Sequence, residues 1–397
     1  MKERIIFHID VNNAFLSWTA VDLLKKGYPI DIRNIEAIVG GDESQRKGIV
    51  LAKSMPAKRK GVKTAETIRE AKRKCYDLKI YPPNHKLYEE MSNKLFELIG
   101  KYTPDMEKLS VDECFIDYTK VMNLYGDPIK FAYKLKREIK TTLGFTVNIG
   151  IANNKLCAKM ASDFIKPNKI HTLYMDEVKT KMWPLDVGKL FGIGKKSKEK
   201  LNNLNINTIY DLAHANQSEL YKYFKNQAKT MIEWANGIDD SKVISEIKEP
   251  KGISNEITLK MDIDEKTKLY KYLYQLSEKV GLRLRKEKKY ANVIAVILKD
   301  KYFKRKTHQK KLNNPIHTTE DIFEFSKIVL NEMWDNTSVR LIGIRLEKLT
   351  DKLLIQSSLF ENKKIEEKNK LEETLDDINN KYNNIVVTRA IERKKVK

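Results

Sequence analysis

The sequence predicts an α+β protein of several domains, and three observations carry that prediction. Short apolar runs at 4–11 and 145–152, rich in β-branched residues, and a partly alternating run at 108–118 read as strands. Amphipathic stretches at 86–101 and 129–143 lie between them on short connections, the order expected of helices layered on a sheet. The length, 397 residues, is enough for several domains of roughly 100–200 residues each.

Composition narrows the class. Hydrophobic residues make up 41% and aromatics 9%, enough apolar material for real cores and too much for wholesale disorder. No apolar run approaches the roughly 18–20 residues of a membrane span. The start, Met1-Lys2-Glu3-Arg4-Ile5, has neither the long apolar segment nor the small-residue site of a signal peptide. A cytoplasmic location is expected. Cys75, Cys114 and Cys157 form no CxxC pair, so neither a disulfide framework nor a zinc site is expected.

The formal net charge is +22, which points to a polyanionic partner, nucleic acid being the commonest. A lysine-rich coding bias is the plainer explanation, and the distribution argues against it. Residues 1–250 carry +11, residues 251–350 carry +9 and residues 351–397 carry +2. The middle of these segments is about twice as basic per residue as the first, as a docking face would be.

In chain order, RIIFHIDV (4–11) is a buried strand that ends on an acid, and helical spacing over 13–26 stops at Gly27-Tyr28-Pro29. Residues 35–82 mix short strands with a helix and carry the basic run Lys58-Arg59-Lys60 before the break at Pro82-Pro83. Residues 86–101 are helical, KLSVDECFIDY (108–118) is strand-like, 129–143 is an amphipathic helix and FTVNIGIA (145–152) is a strand. Residues 155–165 are a helix closed by Lys166-Pro167-Asn168. Residues 186–236 read as all-helical and hold Gly192-Ile193-Gly194. A polar linker follows, then alternating strands and helices over 251–350, with ANVIAVIL (291–298) and VRLIGIRL (339–346) the clearest strands. The charged segment 361–397 reads as a helix with a frayed end, and Leu371, Leu375 and Ile378 give it a face to pack on the body or on a partner.

Acids that interrupt buried strands are costly unless ionised against a base or a metal. Asp10, Asp112 and Glu113 are such acids. Meeting across neighbouring strands, they suit hard cations such as Mg²⁺, which prefer oxygen ligands. Two ions about 3.5–4 Å apart can activate an attacking hydroxyl and steady a leaving phosphate. The competing reading is that these acids cap strand ends and face solvent.

Four stretches in order, HIDVNNAF (8–15), SVDECFID (110–117), NIGIANNKLCAKMASDFIKPN (148–168) and LFGIGKKSKEKLNNLNINTIYDLA (190–213), closely resemble the Y-family translesion DNA polymerases, in the bacterial DinB/UmuC branch. The resemblance runs from residue 4 to about 360. It implies a right-hand polymerase: a ferredoxin-like palm from 1–13 and 83–173, small fingers from 14–82, a helical thumb from 174–243 with a helix-hairpin-helix, a linker at 244–250, an α/β little finger at 251–350, and a tail from 351.

The resemblance further implies that Asp10, Asp112 and Glu113 hold two Mg²⁺ ions, with Val11 lending a backbone carbonyl. Asn12 stands where the family often has a second acid. Phe15 takes the place of the aromatic that lies under the incoming sugar and excludes a 2′-hydroxyl; a core aromatic is its rival role. In the family's triphosphate-binding stretch, Met55 stands where Tyr is common and Lys58 where Arg is common. Lys58 keeps the charge and loses the planar fork, and Arg59 is the alternative. Lys166 matches the family's triphosphate lysine. Gly192, Gly194, Lys195 and Lys196 match the hairpin that brings backbone N–H groups to a DNA phosphate. Gln356, Leu359 and Phe360 resemble a sliding-clamp docking peptide, with Ser357 in place of its usual Leu.

The implied partners are primed DNA, deoxynucleoside triphosphates and a sliding clamp, for a monomeric bacterial enzyme at the nucleoid. Two rivals are a catalytically silent DNA-binding repair factor and a palm-type nucleotide cyclase, the latter on the likeness of Gly40-Gly41-Asp42-Glu43 to a cyclase signature.

Overall fold

A computed structural model describes residues 4–42, 46, 48–246, 249–351, 370–372, 374–378 and 381. The chain divides into two compact units, Met1–Glu43 with Gly48–Ile247, and Ser44–Lys47 with Lys248–Lys397.

The first unit begins β1 (Ile6–Val11), α1 (Ala14–Lys25), β2 (Ala37–Gly40), β3 (Val50–Lys53), α2 (Met55–Arg59), α3 (Ile68–Lys74) and β4 (Lys79–Tyr81). It continues with α4 (His85–Gly100), β5 (Met106–Lys108), β6 (Glu113–Asp117), α5 (Met122–Tyr125), α6 (Pro128–Leu143), β7 (Val147–Ala152), α7 (Lys155–Ser162) and β8 (Ile170–Leu173). It ends with four short helices, α8 (Lys195–Asn202), α9 (Ile209–Ala213), α10 (Gln217–Phe224) and α11 (Gln227–Ala235).

Its main sheet has the order β5-β6-β1-β7-β8, with β1 antiparallel to both β6 and β7. Alternation along β1 sends Phe7, Ile9 and Val11 into a core shared with Trp18, Leu95, Leu135 and Ile139 of α1, α4 and α6. Ile6 points the other way, into a second core with Leu156 and Met160 of α7 and with the four short helices. A small sheet, β3-β2-β4, is covered by Ala57, Ile68 and Ala71 of α2 and α3. Side-chain caps fix the helix starts: Asn84 for α4, Asp127 with Pro128 behind it for α6, and Asn154 for α7.

Gly150 decides how closely α7 lies on this sheet. A Cβ there would stand 1.9 Å from the Ala158 carbonyl oxygen and 2.5 Å from the Ser162 nitrogen. Only glycine tolerates that approach. Gly150 pairs with His8 on β1, so the contact sets what α7 presents to the strand that carries Asp10.

The second unit holds β9 (Gly252–Ile263), α12 (Lys266–Lys286), β10 (Tyr290–Asp300), β11 (Arg305–Ile316), α13 (Thr319–Met333) and β12 (Val339–Thr350), with the sheet order β11-β10-β12-β9. The two helices cover one face, and Leu273, Leu276, Val280, Ile322, Val329, Ile294, Val296, Ile342 and Ile344 form the core. The described part of the tail, Lys370–Glu372 with Thr374–Ile378, is helical. Of the expected apolar face, Leu371 is exposed and Leu375 and Ile378 are half-buried, and the buried contact is the charged Glu372. Glu372 accepts the Thr319 backbone N–H at 2.9 Å and pairs with Arg285 at 3.2 Å. Arg285 also donates to Asp376 at 2.6 Å.

Two local expectations change. The strand-like run 108–118 is two strands joined by a turn over Leu109–Asp112, whose Leu109 and Ser110 N–H groups both donate to the Glu113 carbonyl. Asp112 therefore precedes its strand. The segment 35–82 holds two helices where one is expected.

Candidate active site

Asp10 and Glu113 face each other across the β1–β6 ladder. The Val11 N–H donates to the Asp112 carbonyl at 2.9 Å, which brings the turn with Asp112 to the end of β1. Asp10 and Asp112 line one cavity of about 310 Å³ together with Val11, Asn12, Phe15, Met55, Lys58 and Lys166. The three carboxylates do not close into a cage: among the described residues no group of three His, Cys, Asp or Glu side chains is set to hold a metal.

The electrostatics of the acids differ. Burial raises the pKa of Asp10, against the pull of the Lys166 ammonium 2.5 Å away. Lys166 also pairs with Asp163 at 2.7 Å, and these two acids outweigh its own burial to raise its pKa. Burial pushes Glu113 up as well, but His8 and Lys159 outweigh it and bring its pKa down to about 2. Lys159 reaches Glu113 Oε2 at 2.5 Å. Asp112 accepts from the Ser110 hydroxyl at 2.6 Å. Each of the two half-buried strand acids thus holds an ammonium group.

The donor set fits a hard divalent cation. Desolvated carboxylates with lysines as their counter-charge suit one, and Mg²⁺ is usually held by one or two carboxylates plus substrate phosphates, not by an all-protein cage.

Asn12 is not a spare ligand. It is buried, donates to Asn148 Oδ1 at 3.1 Å, and accepts from the Thr146 hydroxyl at 3.0 Å and the Asn168 N–H at 2.8 Å. Both ends of its amide are spent tying β1 to β7 and to the segment after Pro167. Phe15 stacks on Tyr88, with ring centroids 4.5 Å apart and planes at 13°, and forms part of the cavity wall. Arg59 does not line this cavity. It lines a neighbouring one of about 300 Å³ with Arg33, beyond a wall of Asn12, Asn13, Met55 and Pro167.

In the hairpin, Gly192 has φ +86°, and a Cβ there would meet the Trp234 ring at 2.7 Å. Gly194 caps α8 with nothing within 4 Å of its open side, and Lys195 and Lys196 follow, both exposed. Gln356, Leu359 and Phe360 lie outside the described residues, as does Glu43 of the cyclase-like stretch. Reading the sequence missed His8, Lys159 and Ser162. For His8 a signal existed, because alternation puts it on the same face as Asp10.

Residues 9–163 match the impB/mucB/samB family, residues 250–359 its C-terminal domain, and residues 176–206 the IMS family HHH motif. The chain is 45% identical to a DNA polymerase IV of Clostridium acetobutylicum over 389 residues, 98% of both chains. It is 34% identical to a DNA polymerase IV of Oceanobacillus iheyensis, over 98% of this chain and 91% of that one. A solved Y-family DNA polymerase chimera superposes with a TM-score of 0.77 at 24% identity, covering 88% of this chain and all of the other.

Proposed function

The chain belongs to the impB/mucB/samB family of Y-family DNA polymerases, and on that premise we propose the roles of its residues. It is a template-directed DNA polymerase of the error-prone, lesion-bypassing type, related over 98% of its length to DNA polymerases IV. It joins a deoxynucleotide to a primer 3′-end and releases pyrophosphate. No helix among the described residues is long and apolar enough to cross a membrane.

The observation that carries the assignment of residues is the shared cavity of Asp10, Asp112, Phe15, Lys58 and Lys166. Asp10, Asp112 and Glu113, with the Val11 carbonyl, would hold two Mg²⁺ ions, which when bound lower the pKa of the primer hydroxyl and neutralise charge on the triphosphate. Phe15, braced by Tyr88, forms the floor beneath the sugar and excludes a 2′-hydroxyl. Lys58 and Lys166 bind the triphosphate as point charges, and Arg59 approaches it from the adjoining cavity. The hairpin at Gly192–Lys196 and the basic second unit hold the duplex by its phosphates, which positions DNA without reading its sequence. The palm, fingers, thumb and little finger follow the boundaries given above.

Gln356, Leu359 and Phe360 dock on a sliding clamp, an apolar pair in a polar stretch. Burying two such side chains is worth about 1.5–3 kcal/mol each. Leu359→Ala with Phe360→Ala should therefore cost tenfold or more in clamp binding, at 1.4 kcal/mol per decade.

The deciding experiment is primer extension with Mg²⁺ and deoxynucleotides on a primed template, run with a binding assay. Extension is expected. Binding without extension favours the silent DNA-binding factor instead.

A further inference from the structure

The turn that joins β10 to β11 presents two aromatic rings to solvent. Asp300 builds it: its backbone carbonyl accepts the Phe303 N–H at 3.1 Å, and its Oδ1 accepts the Tyr302 and Lys304 N–H groups at 2.8 and 2.9 Å. Asp is a favoured first residue of such a turn, and Gly a favoured fourth. Phe303 takes that fourth place with φ +66°, in the left-handed region that a bulky residue adopts only at a cost. Its ring gains little burial in return: Phe303 is 59% exposed and Tyr302 68%.

Cations surround these rings. Lys299 Nζ lies 4.8 Å and the Arg340 guanidinium 4.7 Å from the Phe303 ring centre, and Lys301 Nζ lies 5.1 Å from that of Tyr302. Lys304 follows, exposed. The next two cations, Arg305 and Lys306, are taken up by Glu256 and Asp335. Among the described residues, no carboxylate pairs with Lys299, Lys301, Lys304 or Arg340.

Exposed rings beside unpaired cations match single-stranded nucleic acid, whose bases stack on aromatic faces while its phosphates meet the charges. A duplex keeps its base faces inside its own stack and could use the cations alone. An apolar protein pocket could take the rings, but only by burying unpaired charge with them.

We propose that the Asp300–Lys304 turn is a stacking platform for single-stranded DNA, the unpaired stretch of template that a polymerase handles. Tyr302 takes a base on its ring, and Phe303 seats Lys299 and Arg340 beside it for the flanking phosphates. The proposal rests on the reading that the second unit holds DNA, and adds a contact that duplex cannot make.

The test compares three DNAs: a primed template with a 5′ overhang, a blunt duplex of the same primer, and the overhang DNA with abasic sites in its unpaired stretch. Affinity of the full chain is followed by fluorescence anisotropy. Tyr302→Ala should weaken binding to the overhang DNA about fivefold or more, the loss of one stacked base, and leave blunt-duplex binding unchanged. Tyr302→Trp should bind as the wild type does. Abasic sites should cost the wild type as much as the substitution does, and cost the Tyr302→Ala protein nothing further. The salt dependence of binding should be unaltered in Tyr302→Ala and flatter in Arg340→Gln, since only the second loses a phosphate contact. Wild-type affinity of Tyr302→Ala for the overhang DNA, or an equal loss on blunt duplex, overturns the proposal. So does a wild-type protein that binds the abasic overhang as tightly as the intact one, a check that needs no variant. If Arg340→Gln weakens binding while Tyr302→Ala does not, only the stacking falls. If Lys301, Lys304 and Arg340 replaced together by Gln leave the affinity for all three DNAs unchanged, the reading that the second unit holds DNA falls, and the proposal with it.

Discussion

The two large sheets put their charge in opposite places. The five-stranded sheet draws it inward: Asp10 and Glu113 are half-buried against lysines, and the polar side chains of His8, Asn12, Asn148 and Ser162 are sealed around them. The four-stranded sheet excludes it. Its central strands bury Ile294, Val296, Leu298, Ile342, Ile344 and Leu346, and its edge strand β11 carries Arg305, Lys306, Lys310 and Lys311 outside that core, the first three paired with Glu256, Asp335 and Glu332. Buried charge is costly and must be paired or hydrogen-bonded. The first sheet bears that cost where chemistry needs fixed carboxylates. Gripping a phosphate backbone, the role proposed for the second unit, needs only cations outside the core.

The largest effect tests the buried side. Asp10→Ala, Asp112→Ala or Glu113→Ala should lower primer extension by about a thousandfold or more, the loss of several kcal/mol of charge stabilisation at 1.36 kcal/mol per decade. DNA binding should hold. A Glu113→Ala enzyme that extends at wild-type rate would break the contrast outright.

Two glycines sharpen the contrast in packing. Gly150→Ala meets backbone atoms at 1.9 and 2.5 Å and should cost about 3 kcal/mol or more in unfolding free energy. Gly343→Ala on β12 meets the flexible Glu256 side chain at 2.6 Å, with the Asn255 carbonyl at 3.2 Å, and should cost about 1 kcal/mol or a little more. Denaturant titration of both variants checks the ranking, and an equal cost would show that the first sheet is no more tightly built.

At the cavity wall, Phe15→Ala should raise ribonucleotide incorporation relative to deoxynucleotide by about tenfold or more, within the 1–3 kcal/mol that small steric differences command. An unchanged ratio would return Phe15 to a purely structural stack on Tyr88.

On the exposed side, replacing Lys301, Lys304 and Lys311 by Gln should flatten the salt dependence of DNA binding. Each lost phosphate contact removes about 0.9 from the slope of log K against log salt. Extension at saturating DNA should not change.

The smallest effect lies inside the second unit. Burial and the nearby Arg285 bring His317 down to about 4. Between pH 6.5 and 4 the unfolded chain takes up a proton that the folded one refuses, so stability falls as pH drops through that window. Hydrogen exchange of the Val293–Leu298 amides should show this loss, on the order of 1 kcal/mol after allowing for solvent screening, and His317→Gln should remove it.

The sequence made the hydrocarbon parts of the fold legible and the polar parts less so. β1 and β7 announce themselves as β-branched apolar runs, and the caps at Asn84 and Asp127 mark α4 and α6. The turn inside 108–118 carries no Gly or Pro, and its alternation continues through the bend, so it reads as one strand. β11, RKTHQKKLNNPI, has almost no apolar signal and is a strand only because β10 pairs with it. Asp10, Asp112 and Glu113 stood out because acids in apolar runs are conspicuous. Lys159 and Ser162 did not, because their meaning depends on which strand α7 covers, a long-range contact that one glycine permits.

The tail makes the second unit unsuited to trimming at its last strand. Arg285 is 9% exposed, and Glu372 and Asp376 supply its two carboxylates. Glu372 also takes up an amide at the first turn of α13, whose own cap is Thr318. A chain cut after Thr350 would keep every strand and both helices, yet leave a sealed guanidinium without its counter-charge. One-sided loss of such a pair typically costs 3–5 kcal/mol, a large share of the stability of an ordinary domain. The charged ending that reads as an appendage is in this respect the keystone of the helical layer above the sheet, and a fusion or truncation that spares it keeps the grip intact.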